Sequence, residues 1–148
     1  LAKRRGKTRL LKPGITKKER EEYKELLKWN YDRGQGYPVR PFVHVGLKAG
    51  EKFFGSGACE LLELIGQTGS VQEACARMSL SYSKGSRILK NIEKQLGEDV
   101  VQRWAGGVGG GGAELTKKGR WLIDNYRKME AQVEQTAAEA FDRYFEEA

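Results

Sequence analysis

Apolar positions recur along this chain in two rhythms, and each predicts a type of element. Ala58, Leu61, Leu62 and Ile65 fall at i, i+3, i+4 and i+7, the stripe by which a helix meets a core, and Gly69 closes that helix. Ser70 with Glu73 forms a capping box that opens a short second helix with an inner face of Val71, Ala74, Cys75 and Met78. After a brief turn at Ser79 to Ser81, a third helix runs to Leu96 and stops at Gly97. At about 100° per residue, its Gly85, Ile88, Ile92 and Leu96 share one side, flanked by Leu89. Ser83, Arg87, Lys90 and Lys94 fall opposite, with Ser86 and Asn91 at the edges. Upstream, a capping box of Thr16 and Glu19 precedes Tyr23, Leu26, Leu27 and Asn30 or Tyr31, which predicts a helix over about 17–31, ended by Gly34 and Gly36. A period of two marks PFVHVGL (41–47), where Val43, Val45 and Leu47 alternate with Phe42, His44 and Gly46 and predict a strand. DVVQRW (99–104) and AELT (113–116) predict two more, pairing antiparallel.

Two short helices joined by a tight turn, the second with a basic outer face, form a helix-turn-helix pattern. A strand, a loop and a returning strand directly after it form a wing. The expected fold is mainly α, a winged helix-turn-helix with a small β-wing and a long C-terminal dimerisation helix. The expected divisions are a basic arm and helix extension over 1–40, the winged domain over 41–116 and the long helix over 117–148.

Charge sharpens this picture once it is divided along the chain. The 148 residues carry +7, but residues 1–40 alone carry +8, with six basic and no acidic side chains in the first twelve. Residues 77–128 carry +6, whereas 130–148 carry −5. Two basic blocks and an acidic tail suggest a directed charge distribution rather than a uniformly solubilising one, with merely solvated faces as the alternative. No apolar run reaches the eighteen or so residues of a membrane span, and LAKRRGKTRLLKPG lacks the apolar segment of a secretory signal, so the expectation is a cytoplasmic protein. Cys59 and Cys75 each fall on an apolar helical stripe and read as buried thiols rather than a disulfide. With one histidine, His44, and no CxxC, no metal site or cofactor is implied. No nucleophile sits in a recognisable motif, so an enzyme is not expected.

Six glycines crowd the seven positions from Gly106 to Gly112. Such a run loses too much backbone entropy to sit within a packed element. At a wing tip it would let the backbone lie against phosphates and present N–H donors, with Arg103 near the base supplying charge. A nucleotide-phosphate loop is the alternative, but there is no G-x-x-x-x-G-K-[ST] and no helix N-terminus adjoins the run. A passive loop is the other.

From Phe42 to Phe145 the chain resembles the N-terminal DNA-binding domain of ModE-type molybdate-responsive regulators, which is related to the winged helices of LysR-type regulators. The stretches that carry the resemblance are LLELIGQTGSVQEACARMSLSYSKGSRIL and LGEDVVQRWAGGVGGGGAELTKKGRWLIDNY, and within them GS-x8-LSY and GG-x-GGGG-A-x-LT-x-x-G. It implies a homodimeric winged helix on a palindromic operator, with Tyr82 to Lys90 in the groove and the wing on the flanking backbone. Full-length ModE-type proteins continue into β-barrel modules that bind the oxyanion. No such sequence follows here, so the expectation is a regulator without its own sensor, and molybdate binding by this chain is not expected. Residues 1–40 have no counterpart in the family, and where many relatives carry a tryptophan in the recognition helix this chain has Ser86 or Arg87.

The expected DNA-binding residues are Ser70, Gln72, Ser81, Tyr82, Ser83, Lys84, Ser86, Arg87, Lys90, Lys94 and Arg103, with Gly106, Gly107, Gly109, Gly110, Gly111 and Gly112 in the wing. Thr116 can cap a last helix running from Lys117 towards Glu146, about 45 Å long. Its seam of Leu122, Tyr126, Met129, Val133, Ala137 or Thr136, Ala140 and Tyr144 extends beyond what so small a core could cover. Either the chain's own N-terminal helix or a second copy could cover it; a second copy is favoured, since a dimer would set two recognition helices one turn of DNA apart. The function expected is thus a homodimeric, sequence-specific transcriptional regulator whose partner is double-stranded DNA. The alternatives are a protein-interaction adaptor, the DNA-binding half of a two-subunit sensor, or a non-specific architectural DNA-binder driven by the basic arm.

Overall fold

A computed structural model of the chain describes residues 18–19, 21–22, 24–25, 39–106 and 110–145. Those between 18 and 25 are helical and exposed. The basic arm, and the apolar positions expected to line the first helix, lie outside the described residues. The elements that follow are β1 (Leu47–Ala49), β2 (Glu51–Phe54), α1 (Ser56–Thr68), α2 (Val71–Arg77), α3 (Tyr82–Leu96), β3 (Val101–Trp104), β4 (Gly112–Leu115) and α4 (Lys117–Tyr144). The chain divides into two compact units, residues 44–127 and residues 1–43 with 128–148.

The 44–127 unit is built on the apolar stripes. Cys59, Leu61, Leu62 and Ile65 of α1, Val71, Ala74 and Cys75 of α2, and Leu89 and Ile92 of α3 are all buried, joined by Phe54, Val100, Val101, Ala113, Leu122 and Tyr126. Each large apolar side chain removed from water here stabilises the fold by roughly 1.5–3 kcal/mol. The Ser70 cap forms, but only as half of the expected box: the Ser70 amide donates to Thr68 Oγ1 at 3.2 Å, and the Glu73 carboxylate pairs with Arg77 instead of reaching back. Ser70 Oγ accepts the Glu73 amide at 3.1 Å and Ser81 Oγ accepts the Lys84 amide at 3.1 Å. Thr116 Oγ1 accepts the Gly119 amide at 3.1 Å while donating to the Asp99 carbonyl at 2.7 Å, which ties the start of α4 to the strand segment before the wing. Gly69 and Gly97 end α1 and α3 in left-handed conformation.

The pairing of α2 with α3 depends on one glycine. A Cβ built on Gly85 would stand 2.2 Å from Cys75 Sγ, so the thiol fills the space that a side chain at 85 would need. The two helices approach this closely because residue 85 has no side chain.

The strand expected over 41–47 requires correction. Its alternation is present, with Val43, Val45 and Leu47 half-buried and Phe42, His44 and Gly46 exposed. A ladder also needs a neighbour, and only Leu47–Ala49 has one, the adjacent Glu51–Phe54, reached through a turn at Gly50 with φ +77°. The Val45 carbonyl instead accepts the Tyr126 hydroxyl at 2.8 Å. The wing matches its expected strands closely. β3 and β4 pair antiparallel with Val101 opposite Leu115, Gln102 opposite Glu114, Arg103 opposite Ala113 and Trp104 opposite Gly112.

Candidate nucleic-acid interface

The outward side of α3 is polar along its whole length. Tyr82, Ser83, Lys84, Arg87, Lys90, Asn91 and Lys94 are exposed and Ser86 is half-buried, while Gly85, Leu89 and Ile92 are sunk in the core. A helix anchored on one side and carrying cations and hydroxyls on the other meets the requirement for reading a major groove, where bases offer acceptors and phosphates line both edges. Gln72 is exposed in the first turn of α2. Ser70 and Ser81 serve first as helix caps, each holding its own helix start through its Oγ.

The wing packs on α1 and reaches the start of α3 through a side-chain hydrogen bond. In β3, Val101 and Arg103 lie on the face shared with buried Ala113, and Gln102 and Trp104 lie on the other. Arg103 therefore reaches back across the unit, and its Nη1 donates to the Tyr82 hydroxyl at 3.3 Å. Burial pushes the Cys75 thiol up from its ordinary value, and the Arg103 guanidinium offsets part of this. Of the wing glycines, Gly106, Gly110 and Gly111 are exposed, and Gly110 has φ +77°. Gly107 and Gly109 lie outside the described residues. Gly112 has a second duty, because a Cβ there would come within 2.4 Å of the Trp104 ring, so the indole lies directly over the glycine.

Sequence reasoning did not single out two exposed tryptophans. Trp104 and Trp121 are each 51% exposed, and Lys118 Nζ sits 4.1 Å from the Trp121 ring centroid. Nor did it join Tyr82 to Arg103. The strand register alone puts Arg103 on the same face of the wing as inward Val101, but does not say which helix that face meets.

The seam of α4 divides in two. Leu122 and Tyr126 are 3% and 2% exposed, and Tyr126 packs edge-on against Phe54 with centroids 5.1 Å apart, so these two side chains serve the domain's own core. An ion pair between Glu63 and Arg127 holds α1 and α4 together. Farther on, Met129, Val133, Ala137 and Ala140, with Gln132 and Thr136, line an open groove of about 500 Å³, and Tyr144 is exposed. Among the described residues no helix is long and apolar enough to cross a membrane, and no group of three or more His, Cys, Asp or Glu stands ready to hold a metal ion.

A three-helix core with an exposed basic α3 and a two-stranded wing defines a winged helix-turn-helix, the DNA-binding unit of a large class of transcriptional regulators. Residues 57–120 match the family model described as bacterial regulatory helix-turn-helix protein, lysR family. Over 79 residues the chain is 38% identical to the molybdenum-pterin-binding protein MopB of Rhodobacter capsulatus, which covers 53% of this chain and 29% of that protein. Over 92 residues it is 33% identical to the DNA-binding transcriptional dual regulator ModE of Escherichia coli strain K12, covering 62% of this chain and 35% of that one. The chain thus matches about a third of the length of these relatives. Among solved structures, the DNA-binding domain of CbnR in complex with DNA superposes with a TM-score of 0.43 at 21% identity, covering 59% of this chain and 90% of that one.

Proposed function

We propose that this protein is a sequence-specific transcriptional regulator that binds a palindromic operator in the cytoplasm as a homodimer. The observation that carries the reading is α3, with Ser83, Arg87, Lys90 and Lys94 exposed along one side and Leu89 and Ile92 buried on the other. In the major groove, Ser83, Ser86 and Arg87 face base edges, and Lys90, Lys94 and Arg103 meet phosphates. The wing glycines lay their amides against the flanking backbone. The partner for the groove of Met129, Val133, Ala137 and Ala140 is the same groove of a second copy, which sets two α3 helices about 34–36 Å apart on DNA. The work assigned to these 148 residues is DNA binding, although relatives matched over a third of their length bear names tied to molybdenum.

Selection from a random duplex pool with the purified chain, at two salt concentrations and with molybdate absent and present, tests this reading. The expected result is one enriched palindrome, bound by two chains, with the same enrichment in both molybdate conditions. Arg87→Ala is expected to relax the preference at one position of each half-site by about 1–3 kcal/mol. Binding that collapses with salt and enriches nothing would reduce the function to phosphate contact and overturn the operator.

A further inference from the structure

Tyr82 and Arg103 are 21 residues apart in sequence and come from different elements, yet their polar ends meet in solvent at the seam between α3 and the wing. Tyr82 is half exposed and Arg103 is exposed, so neither end is needed to fill the core. The bond has a direction that leaves chemistry unspent. Arg103 Nη1 is the donor, so the tyrosine oxygen is the acceptor and its own hydroxyl proton remains available. Four of the five guanidinium N–H groups remain as well. Two sets of donors, their heavy atoms 3.3 Å apart, therefore converge on one point of the surface. That spacing suits two oxygens of a single phosphate.

Resting on the DNA-binding reading above, we infer that Tyr82 and Arg103 form one phosphate clamp between α3 and the wing, and that Tyr82 positions Arg103 rather than reading a base. Arg103 brings the charge. Tyr82 brings a second donor and removes the rotational freedom that an exposed arginine otherwise loses on binding. By joining wing to helix, the pair also sets the angle between the two elements that hold the duplex. This gives Tyr82 a role different from that of its neighbours Ser83 and Arg87, which stand on the same helix and face base edges.

The test compares Tyr82→Phe, Arg103→Ala and the double variant with the wild-type chain, using the selected site and an unrelated duplex over a range of salt. Tyr82→Phe keeps the ring and removes only the hydroxyl, and unchanged thermal unfolding confirms that the fold is intact. Expected for Tyr82→Phe is a threefold to tenfold loss of affinity on both duplexes, with the salt slope and base preference unchanged. Expected for Arg103→Ala is a larger loss with the salt slope reduced by about one. The double variant should lose clearly less than the sum of the two single losses, because Tyr82 acts in part by holding the arginine. Wild-type affinity in Tyr82→Phe, additive losses in the double variant, or a changed base preference in Tyr82→Phe would each overturn the clamp. If the wild-type chain binds duplexes without preferring any, the operator reading falls alone, and the same affinities and slopes still judge the clamp. If it binds no duplex at low salt, both readings fall.

Discussion

The two halves of α4 carry one seam and put it to different uses. Up to Arg127 the seam residues Leu122 and Tyr126 are buried in the 44–127 unit, against Phe54 and under the Val45 carbonyl. From Lys128 onward the same spacing presents Met129, Val133, Ala137 and Ala140 to an open groove. Charge changes with use. The winged half lies in a stretch of net +6, and the far half in one of net −5. A basic stretch favours a polyanion and an acidic one disfavours it. The difference teaches that helical periodicity reports that a stripe will be covered, and burial in the folded unit decides what is left to cover it.

The comparison breaks most visibly at Tyr126. Tyr126→Ala removes a fully buried ring and leaves the Val45 carbonyl without its hydroxyl donor, so the unit is expected to lose about 3–5 kcal/mol of stability in urea unfolding. A loss below about 1 kcal/mol would mean that this half of the seam is no more committed to the core than the far half. Val133→Glu is the matching change in the groove and should leave unfolding of the 44–127 unit almost unchanged. Its effect is expected on assembly, with two-chain particles lost in sedimentation and affinity for the palindrome reduced by about a hundredfold as the second half-site stops contributing. A Val133→Glu protein that still sediments as a pair would move the dimer contact elsewhere.

What could be read in advance follows the range of the interactions. The stripes of α1, α2 and α3, the Ser70 cap of α2 and the wing were legible because a helix start or a glycine-bounded hairpin is specified within a few residues. The strand over 41–47 was overextended because alternation shows which side is buried but not whether a partner strand arrives. The cut in the α4 seam was invisible for a related reason, since Leu122 and Val133 have the same spacing whether their own core or another surface lies opposite. At the interface, the exposed face of α3 was legible by angle alone. The bond between Tyr82 and Arg103 was not, because it depends on how the wing is set against the helix, a consequence of packing rather than of local pattern.

The smallest expected effect tests what sets that packing. Gly85→Ala places a methyl where Cys75 Sγ now lies, and the clash must be relieved by parting α2 and α3 or by turning the thiol into a core with little room. The expected cost is about 1–3 kcal/mol of stability, accompanied by weaker DNA binding because α3 and the wing no longer meet at the same angle. Cys75→Ala in the same chain removes the sulfur and should restore most of both losses, since the combined change exchanges one small volume for another across the contact. Recovery of stability without recovery of DNA binding would show that the crossing carries the fold while another contact orients the reading helix. Full stability in Gly85→Ala alone would show that the two helices have room to spare, and that the close approach is not what holds α3 in place.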